Sequence, residues 1–226
     1  GPRAEIYTKP EDSGLFFNDF YMYQRIPEFR DYALNGPGGE IAAGLMGANR
    51  VNLFNDHLFV KEPGTTESRV PWHQDQPYCA VDGRQFCSVW APLDPIPQES
   101  TVEFILGSHL WERWFAPFDA MRDGAVHGSQ EFELAPDFEA ERDAHDIASW
   151  TLEPGDCLAF HALTVHQGMA NTTVTTRRRA VIGRYLGDDA VYAEREPRSE
   201  FPHQAPPLSN GEPLSNAPDD FPPVWP

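Results

Sequence analysis

Cysteine is scarce in this 226-residue chain. Its three cysteines, Cys79, Cys87 and Cys157, include no C-x-x-C pair and lie among apolar or strand-forming neighbours. We therefore expect three buried free thiols rather than a disulfide framework. Free thiols persist in a reducing compartment, and no secretory signal is visible at the N-terminus. Together these features predict a cytoplasmic protein.

Basic residues and long apolar runs are also in short supply. Lysine and arginine number 17 against 35 acidic residues, which gives a formal net charge of −18. A nucleic-acid partner requires a basic face that this composition can hardly supply, so none is expected. The apolar runs are a handful of residues long, far short of the ~20 needed to span a bilayer. The composition is compatible with a small-molecule substrate, and it leaves the oligomeric state open.

Proline and glycine are plentiful by contrast, at 22 and 17 residues, and they divide the chain into short elements. A helix is predicted around residues 26–34, followed by a glycine-rich loop at 35–39. β-branched and aromatic residues between the other breaks predict strands over residues 51–61, 85–93, 102–106, 157–160 and 178–185. Short strands at turn-separated intervals indicate one mainly β domain over residues 1–226, a jelly roll with peripheral helices.

Two segments differ from this strand pattern. Residues 116–149 are acidic, and we interpret them as an insertion or lid over one end of the β core. Residues 195–226 carry nine of the prolines and cannot form a regular helix or a central strand. The aromatic residues of this tail, Phe201, Phe221 and Trp225, predict that it packs along the surface.

The strongest chemical signal is the sequence W-H-Q-D at residues 72–75. In an extended segment residues two apart face the same side, so His73 and Asp75 could ligate one ion while the intervening glutamine turns away. Imidazole and carboxylate are the ligand types of the facial-triad iron site, which keeps positions open for substrate and oxygen. H-x-D is common by chance, so a third ligand is needed. His161 and His166 are the candidates, and one of them is expected to be a core histidine.

Further motifs follow in a fixed order. With W-H-Q-D they comprise Trp90, the segment Glu103-Phe104-Ile105-Leu106-Gly107-Ser108-His109, the turn Pro154-Gly155-Asp156, Phe160-His161, His166, Asn171 and Arg177-Arg178-Arg179-Ala180. In this order the chain resembles the phytanoyl-CoA dioxygenase family of iron(II)- and 2-oxoglutarate-dependent oxygenases. The resemblance implies a double-stranded β-helix, a cupin-like jelly roll, with His73, Asp75 and His166 as iron ligands. It also implies a structural role for His161 and a place in a turn for His109.

An arginine of the family binds the distal carboxylate of 2-oxoglutarate. Counting forward from the distal histidine indicates Arg177, whereas counting back from Ala180 indicates Arg178. Strand alternation places Arg178, Ala180 and Ile182 on one face. The other register would bury Arg177 and Arg179 together. No interaction would then offset the desolvation free energy of two unpaired charges. We therefore predict that Arg178 binds the co-substrate and keep Arg177 as the alternative.

The resemblance extends to the surroundings of the co-substrate, with differences. Trp90 corresponds to a tryptophan that lies beside it in the family, although an ordinary core aromatic is an equal alternative. Many members have Asn-Gly where this chain has Glu99-Ser100, and serine where it has Gly168. A hydrogen bond from that serine to the co-substrate would be absent here. Trp111, Trp114 and Phe115 are interpreted first as packing residues, with the lining of a substrate entrance as the alternative.

The resemblance implies that O2 and 2-oxoglutarate hydroxylate a small organic substrate, with release of succinate and CO2. Halogenating relatives carry glycine or alanine at the position of Asp75, so the carboxylate favours hydroxylation. Two alternatives stay open: a cupin-like metal enzyme that does not use 2-oxoglutarate, and a non-catalytic binding protein. The substrate cannot be inferred from the fold. His127 and His145 are not expected to form a second metal site.

Overall fold

The computed structural model describes residues 4–119, 125–126, 132–195, 201–202 and 205–226. Two α-helices lie in these ranges, α1 (Pro27–Asn35) and α2 (Gly38–Met46). The strands are β1 (Ala4–Ile6), β2 (Phe16–Phe20), β3 (Val51–Lys61), β4 (Val70–His73), β5 (Val81–Asp82), β6 (Phe86–Pro92), β7 (Val102–Ile105), β8 (Phe118–Asp119), β9 (Ala125–Val126), β10 (Ile147–Ala148), β11 (Leu158–His161), β12 (His166–Gly168), β13 (Arg178–Leu186), β14 (Val191–Tyr192) and β15 (Pro223–Trp225). No helix in the described ranges is long and apolar enough to cross a membrane.

Two antiparallel sheets form the β core. The larger sheet has the order β1-β2-β3-β13-β6-β11, with β15 also paired to β3. The smaller sheet has the order β10-β7-β12-β4. Apart from β1, β2 and β3, which follow one another in the larger sheet, neighbouring strands are not consecutive in sequence, as in a β-helix that winds between two sheets. The mainly β jelly roll predicted from the sequence is confirmed.

The strand register decides which side chains meet inside the sandwich. On β13, Arg178 lies opposite Lys61 of β3, and Arg184 lies opposite Ser88 of β6. Because side chains alternate along a strand, the even-numbered residues from Arg178 to Arg184 share the inner face. In the smaller sheet His166 lies directly opposite His73, so these two histidines are cross-strand neighbours.

The C-terminal tail is anchored in the main hydrophobic core. Leu214 and Phe221 are almost fully buried there. The Phe221 ring stacks on that of Phe54, with 5.7 Å between centroids and 3° between planes. The last three residues before Pro226 form β15 at the start of β3. Among the described residues of the tail β15 is the one strand, and Leu214 and Phe221 lie in the core, deeper than the surface packing predicted from the sequence.

The described part of the 116–149 segment packs on the outer side of the smaller sheet. Phe138 lies against Ile105, Phe115 and Val165. The Trp72 indole donates a hydrogen bond to a carboxylate of this segment, across 3.1 Å. Residues 120–124 and 127–131, with His127, lie outside the described residues, so the lid remains a prediction.

Two expectations from the sequence require correction. The glycine-rich segment after α1 is not only a loop, because α2 begins at Gly38. A Cβ on Gly38 would lie 2.0 Å from the Tyr185 hydroxyl, so this glycine permits close packing of the helix on β13. Cys79 and Cys87 are buried as expected, but Cys157 is exposed. It follows a tight turn and precedes β11, which is an edge strand of the larger sheet.

Candidate active site

Three side chains converge at one end of the sandwich. His73 ends β4, Asp75 follows it, and His166 begins β12. The Asp75 Oδ1 atom lies 3.8 Å from Nε2 of His73 and 4.0 Å from Nε2 of His166. One ligand atom from each residue lies within 4.8 Å of the other two, which is a spacing that one metal ion can bridge.

Hydrogen bonds to the backbone fix the orientation of both imidazoles. Nδ1 of His73 donates to the Pro71 carbonyl across 2.8 Å, and Nδ1 of His166 donates to the Thr164 carbonyl across 2.9 Å. The lone pair of each neutral ring is therefore on Nε2, which faces Asp75. Burial, and then the neighbouring His73, lowers the pKa of His166 to about 3, and burial also lowers the pKa of His73. Two neutral imidazoles and one carboxylate fit an iron(II) site of the facial-triad type.

Arg184 holds the Asp75 carboxylate in place. Its Nη2 donates to Oδ1 across 3.0 Å and its Nε donates to Oδ2 across 3.1 Å. The Ser88 hydroxyl donates to Oδ2 as well, across 2.7 Å. Burial alone would raise the pKa of Asp75, but the Arg184 guanidinium and the two histidines outweigh it and hold this pKa below its usual range. The carboxylate is thus ionised, with Oδ1 turned toward the histidines.

Arg184 is not among the site residues predicted from the sequence. The signal was available, because the alternation that places Arg178, Ala180 and Ile182 on the inner face continues to Arg184. The pairing itself required the three-dimensional structure, since Asp75 lies far away in the sequence.

Arg178 lies inside the sandwich, in the register that alternation predicts. It is 8% exposed, and its Nη1 donates to the Met169 carbonyl across 2.7 Å. Its Cζ atom lies 5.7 Å from the centre of the Trp90 ring, and burial lowers its pKa to about 10. Arg177 is exposed and pairs with Glu62, 2.7 Å away.

A second buried cation lies beside Arg178. Lys61 is 2% exposed, and its Nζ donates to the carbonyls of Ser68 and Met169 across 2.7 and 2.8 Å. Within the described residues neither Lys61 nor Arg178 forms an ion pair with a carboxylate. Two cationic side chains are therefore buried together without an ion pair, contrary to the general expectation used to choose the register of β13. Backbone carbonyls solvate both cations here.

One cavity joins these two ends. His73, Asp75 and His166 line one end, and Lys61 and Arg178 line the other. The wall between them is mostly apolar and comprises Phe59, Val70, Trp90, Val102, Phe160, Ala180 and Ile182, with Gly168. The cavity thus has a metal-binding end, an apolar middle and a cationic end, which suits an elongated dianion.

Gly168 and His161 do not supply free polar groups to this cavity. A Cβ on Gly168 would lie 3.3 Å from Cβ of Val70, which is tight for any larger residue. His161 uses both ring nitrogens elsewhere: Nε2 donates to the Arg84 carbonyl across 2.7 Å, and Nδ1 accepts from the Leu163 amide across 3.0 Å. It also stacks on His109 with 5.6 Å between centroids. Its contacts are those of a structural residue.

Comparison with known families identifies the family to which the chain belongs. The family model described as "Phytanoyl-CoA dioxygenase (PhyH)" matches residues 27–180, more than half of the chain. The chain belongs to the phytanoyl-CoA dioxygenase family. The resemblance inferred from its motifs is therefore confirmed, and the predicted cofactors, iron(II) and 2-oxoglutarate, are those of the family.

The individual relatives and solved structures have low sequence identity to this chain. A "Probable phytanoyl-CoA dioxygenase" of Caenorhabditis elegans is 26% identical over 164 residues, covering 66% of this chain and 48% of the relative. The chain thus spans about half the length of that curated relative. Among solved structures, the carbocyclase SnoK from nogalamycin biosynthesis superposes with a TM-score of 0.72 at 23% identity, covering 98% of this chain and 80% of SnoK. The epimerase SnoN, in complex with Fe3+, alpha ketoglutarate and nogalamycin RO, gives 0.71 at 21% identity, covering 98% and 82%. At these identities the likeness shows the fold.

Proposed function

We propose that this protein is an iron(II)- and 2-oxoglutarate-dependent dioxygenase that hydroxylates a C–H bond of a small organic substrate. One observation carries the proposal: a single cavity joins the His73, Asp75 and His166 triad to a buried arginine that has no carboxylate partner among the described residues. Family membership supports the assignment to this reaction class, and the lining of the cavity supports 2-oxoglutarate as the co-substrate.

The residues at the two ends of the cavity would have different roles. His73, Asp75 and His166 would hold iron(II), and Arg178 would bind the distal carboxylate of 2-oxoglutarate with its guanidinium group. With both groups bound, iron(II) and 2-oxoglutarate supply the oxidising chemistry, in which O2 and the co-substrate are consumed and succinate and CO2 are released. The apolar wall between the two ends excludes water from the reacting groups.

Charge balance supports a dicarboxylate co-substrate. The Asp75 carboxylate is matched by Arg184, so the positive charge that a ligand would meet lies at both ends of the cavity, on iron(II) at one and on Arg178 at the other. 2-Oxoglutarate carries two negative charges, and its distal carboxylate would meet the cationic end at Arg178. A cupin-like enzyme that acts without a dicarboxylate would have no use for a buried, unpaired arginine opposite its metal.

The direct test measures succinate release by the iron(II)-loaded protein with 2-oxoglutarate and a panel of small organic molecules. We expect succinate, with a stimulating substrate identified by an added oxygen atom from isotopically labelled O2. Succinate without oxygen in the product would indicate epimerisation or ring closure, which the names of SnoN and SnoK assign to those proteins. Absence of 2-oxoglutarate binding would favour one of the two alternatives. A chlorinated product would contradict the argument from Asp75.

A further inference from the structure

The cationic end of the cavity contains more positive charge than one carboxylate-binding arginine requires. Lys61 and Arg178 are Cα partners across the β3–β13 pair, and both donate to the same carbonyl oxygen, that of Met169. The two donor–acceptor distances are 2.8 and 2.7 Å, so one backbone oxygen holds two cationic side chains side by side.

No carboxylate among residues 4–119, 125–126, 132–195, 201–202 and 205–226 forms an ion pair with Lys61. The Phe16 ring covers the ammonium at 4.2 Å, and two carbonyls accept its hydrogen bonds. The acidic side chain that acts on it from a distance, Asp12, is engaged by the Ser68 hydroxyl and by the Glu67 amide. Burial, and then the neighbouring Arg178, lowers the pKa of Lys61 well below its ordinary value. A buried cation beside a like charge is costly unless an anion joins it.

We propose that Lys61 is a positioning residue for 2-oxoglutarate: it holds the Met169 carbonyl against Arg178 and adds a second positive charge at the distal-carboxylate end. Arg178 makes the direct contact, because its guanidinium has five donors of which Nη1 is bonded to Met169, whereas two of the three Nζ donors of Lys61 go to backbone carbonyls. Lys61 acts through the field that it adds and through the carbonyl that it shares. This inference rests on the proposed function and assigns a residue of the co-substrate subsite.

The decisive experiment compares two ligands that differ only at the distal end. 2-Oxopentanoate has the 2-oxo acid group and the carbon chain of 2-oxoglutarate but a methyl group in place of the distal carboxylate. Binding of both is measured by calorimetry on the iron(II)-loaded protein without oxygen, so the readout does not depend on turnover. The variants are Lys61→Gln, which keeps hydrogen-bond donors but removes the charge, and Lys61→Arg, which keeps the charge. Lys9→Gln changes the chain's other lysine, which is exposed, and is the matched control.

We expect Lys61→Gln to weaken 2-oxoglutarate binding about tenfold or more, in line with loss of one nearby charge in a buried site, and to leave 2-oxopentanoate binding unchanged. Lys61→Arg should recover most of the loss, and Lys9→Gln should bind like the unaltered protein. If Lys61→Gln folds poorly, as judged by thermal unfolding, Lys61→Met provides a second neutral side chain for the same comparison.

Two results would overturn the inference and they differ from failure of the proposed function. Equal weakening of both ligands would show that Lys61 is only structural, and unchanged 2-oxoglutarate binding in the neutral variants would show that its charge is irrelevant. If the unaltered protein does not bind 2-oxoglutarate at all, the proposed function itself fails.

Discussion

The two ends of the cavity differ in whether their buried charges have an ion-pair partner. At the metal end Asp75 is paired with Arg184 through two hydrogen bonds and receives a third from Ser88. At the cationic end Lys61 and Arg178 are buried with backbone carbonyls as acceptors and without a carboxylate among the described residues. The protein completes the charge balance at the first end and leaves it to a ligand at the second.

We infer from this difference that the Asp75–Arg184 pair stabilises the fold and that Lys61 and Arg178 serve ligand binding. Breaking a matched buried pair leaves a charge stranded in the empty protein, so it should lower stability. Removing an unmatched cation relieves a cost in the empty protein, so the loss should be seen in ligand binding. The two arginines of β13, Arg178 and Arg184, allow this contrast to be tested on one strand.

The largest effect is expected at Asp75. Asp75→Ala removes the anionic ligand of the triad and leaves Arg184 without its partner, so iron binding and succinate formation should both be abolished. Metal content after anaerobic loading and a succinate assay measure the two losses. Asp156→Ala, at an exposed turn, is the control. Normal iron content in Asp75→Ala would show that the triad is not the metal site.

Arg184→Met should mainly affect stability. It leaves the buried Asp75 carboxylate without its cation, and breaking such a pair costs about 3–5 kcal/mol in the free energy of unfolding. Denaturant unfolding of the metal-free protein measures the change. The double variant Asp75→Asn, Arg184→Met should be less destabilised than the sum of the single variants, because each single change already removes the interaction. Additive effects would contradict the pairing.

Arg178→Leu should mainly affect ligand binding. Hydrogen bonds to charged groups contribute about 1.5–3 kcal/mol, so 2-oxoglutarate should bind about 10- to 100-fold more weakly. Iron binding should be largely intact, and the free energy of unfolding should not fall as it does in Arg184→Met. Arg177→Leu, at the exposed neighbour, is the matched control and should bind normally. A larger loss in Arg177→Leu would reverse the assignment of the two residues.

The smallest effect, taken per pH unit, concerns the histidines of the metal end. His166 has a pKa of about 3 in the folded protein, below its ordinary value near 6.5. As pH falls between these values the unfolded chain binds a proton that the folded, metal-free protein does not. Stability should then decrease by about 1.4 kcal/mol per pH unit from this group. Unfolding of the metal-free protein at several pH values tests this, and His166→Gln should show a shallower slope.

Much of the fold and of the site follows from local sequence. The strand predicted at residues 51–61 coincides with β3, and the inward face of β13 follows from alternation at Arg178. His73 and Asp75 are recognisable from their spacing of two residues, although β4 ends at His73 and Asp75 lies in the turn that follows it. These features depend on neighbours in the chain, which sequence patterns describe directly.

The parts that were missed depend on distant contacts. Nothing near Arg184 in the sequence indicates that Asp75 will be its partner, and nothing near Lys61 indicates that Met169 will accept from both Lys61 and Arg178. α2 was missed for a related reason, since the glycines that permit its close packing on Tyr185 resemble a loop locally. Burial of two like charges was judged too costly because the carbonyls that solvate them, those of Ser68 and Met169, come from loops that fold back onto β3 and β13.

The cross-strand pairing of His73 with His166 gives the metal a part in folding. These residues are far apart in the chain and become neighbours only when β4 and β12 pair. An ion bound between them therefore recognises the folded chain and not the unfolded one, and acts as a reversible cross-link between the two strands. Each tenfold rise in free metal above its dissociation constant then adds about 1.4 kcal/mol to the stability of the folded protein. Iron supply would thus set the fraction of molecules in which β4 and β12 are paired.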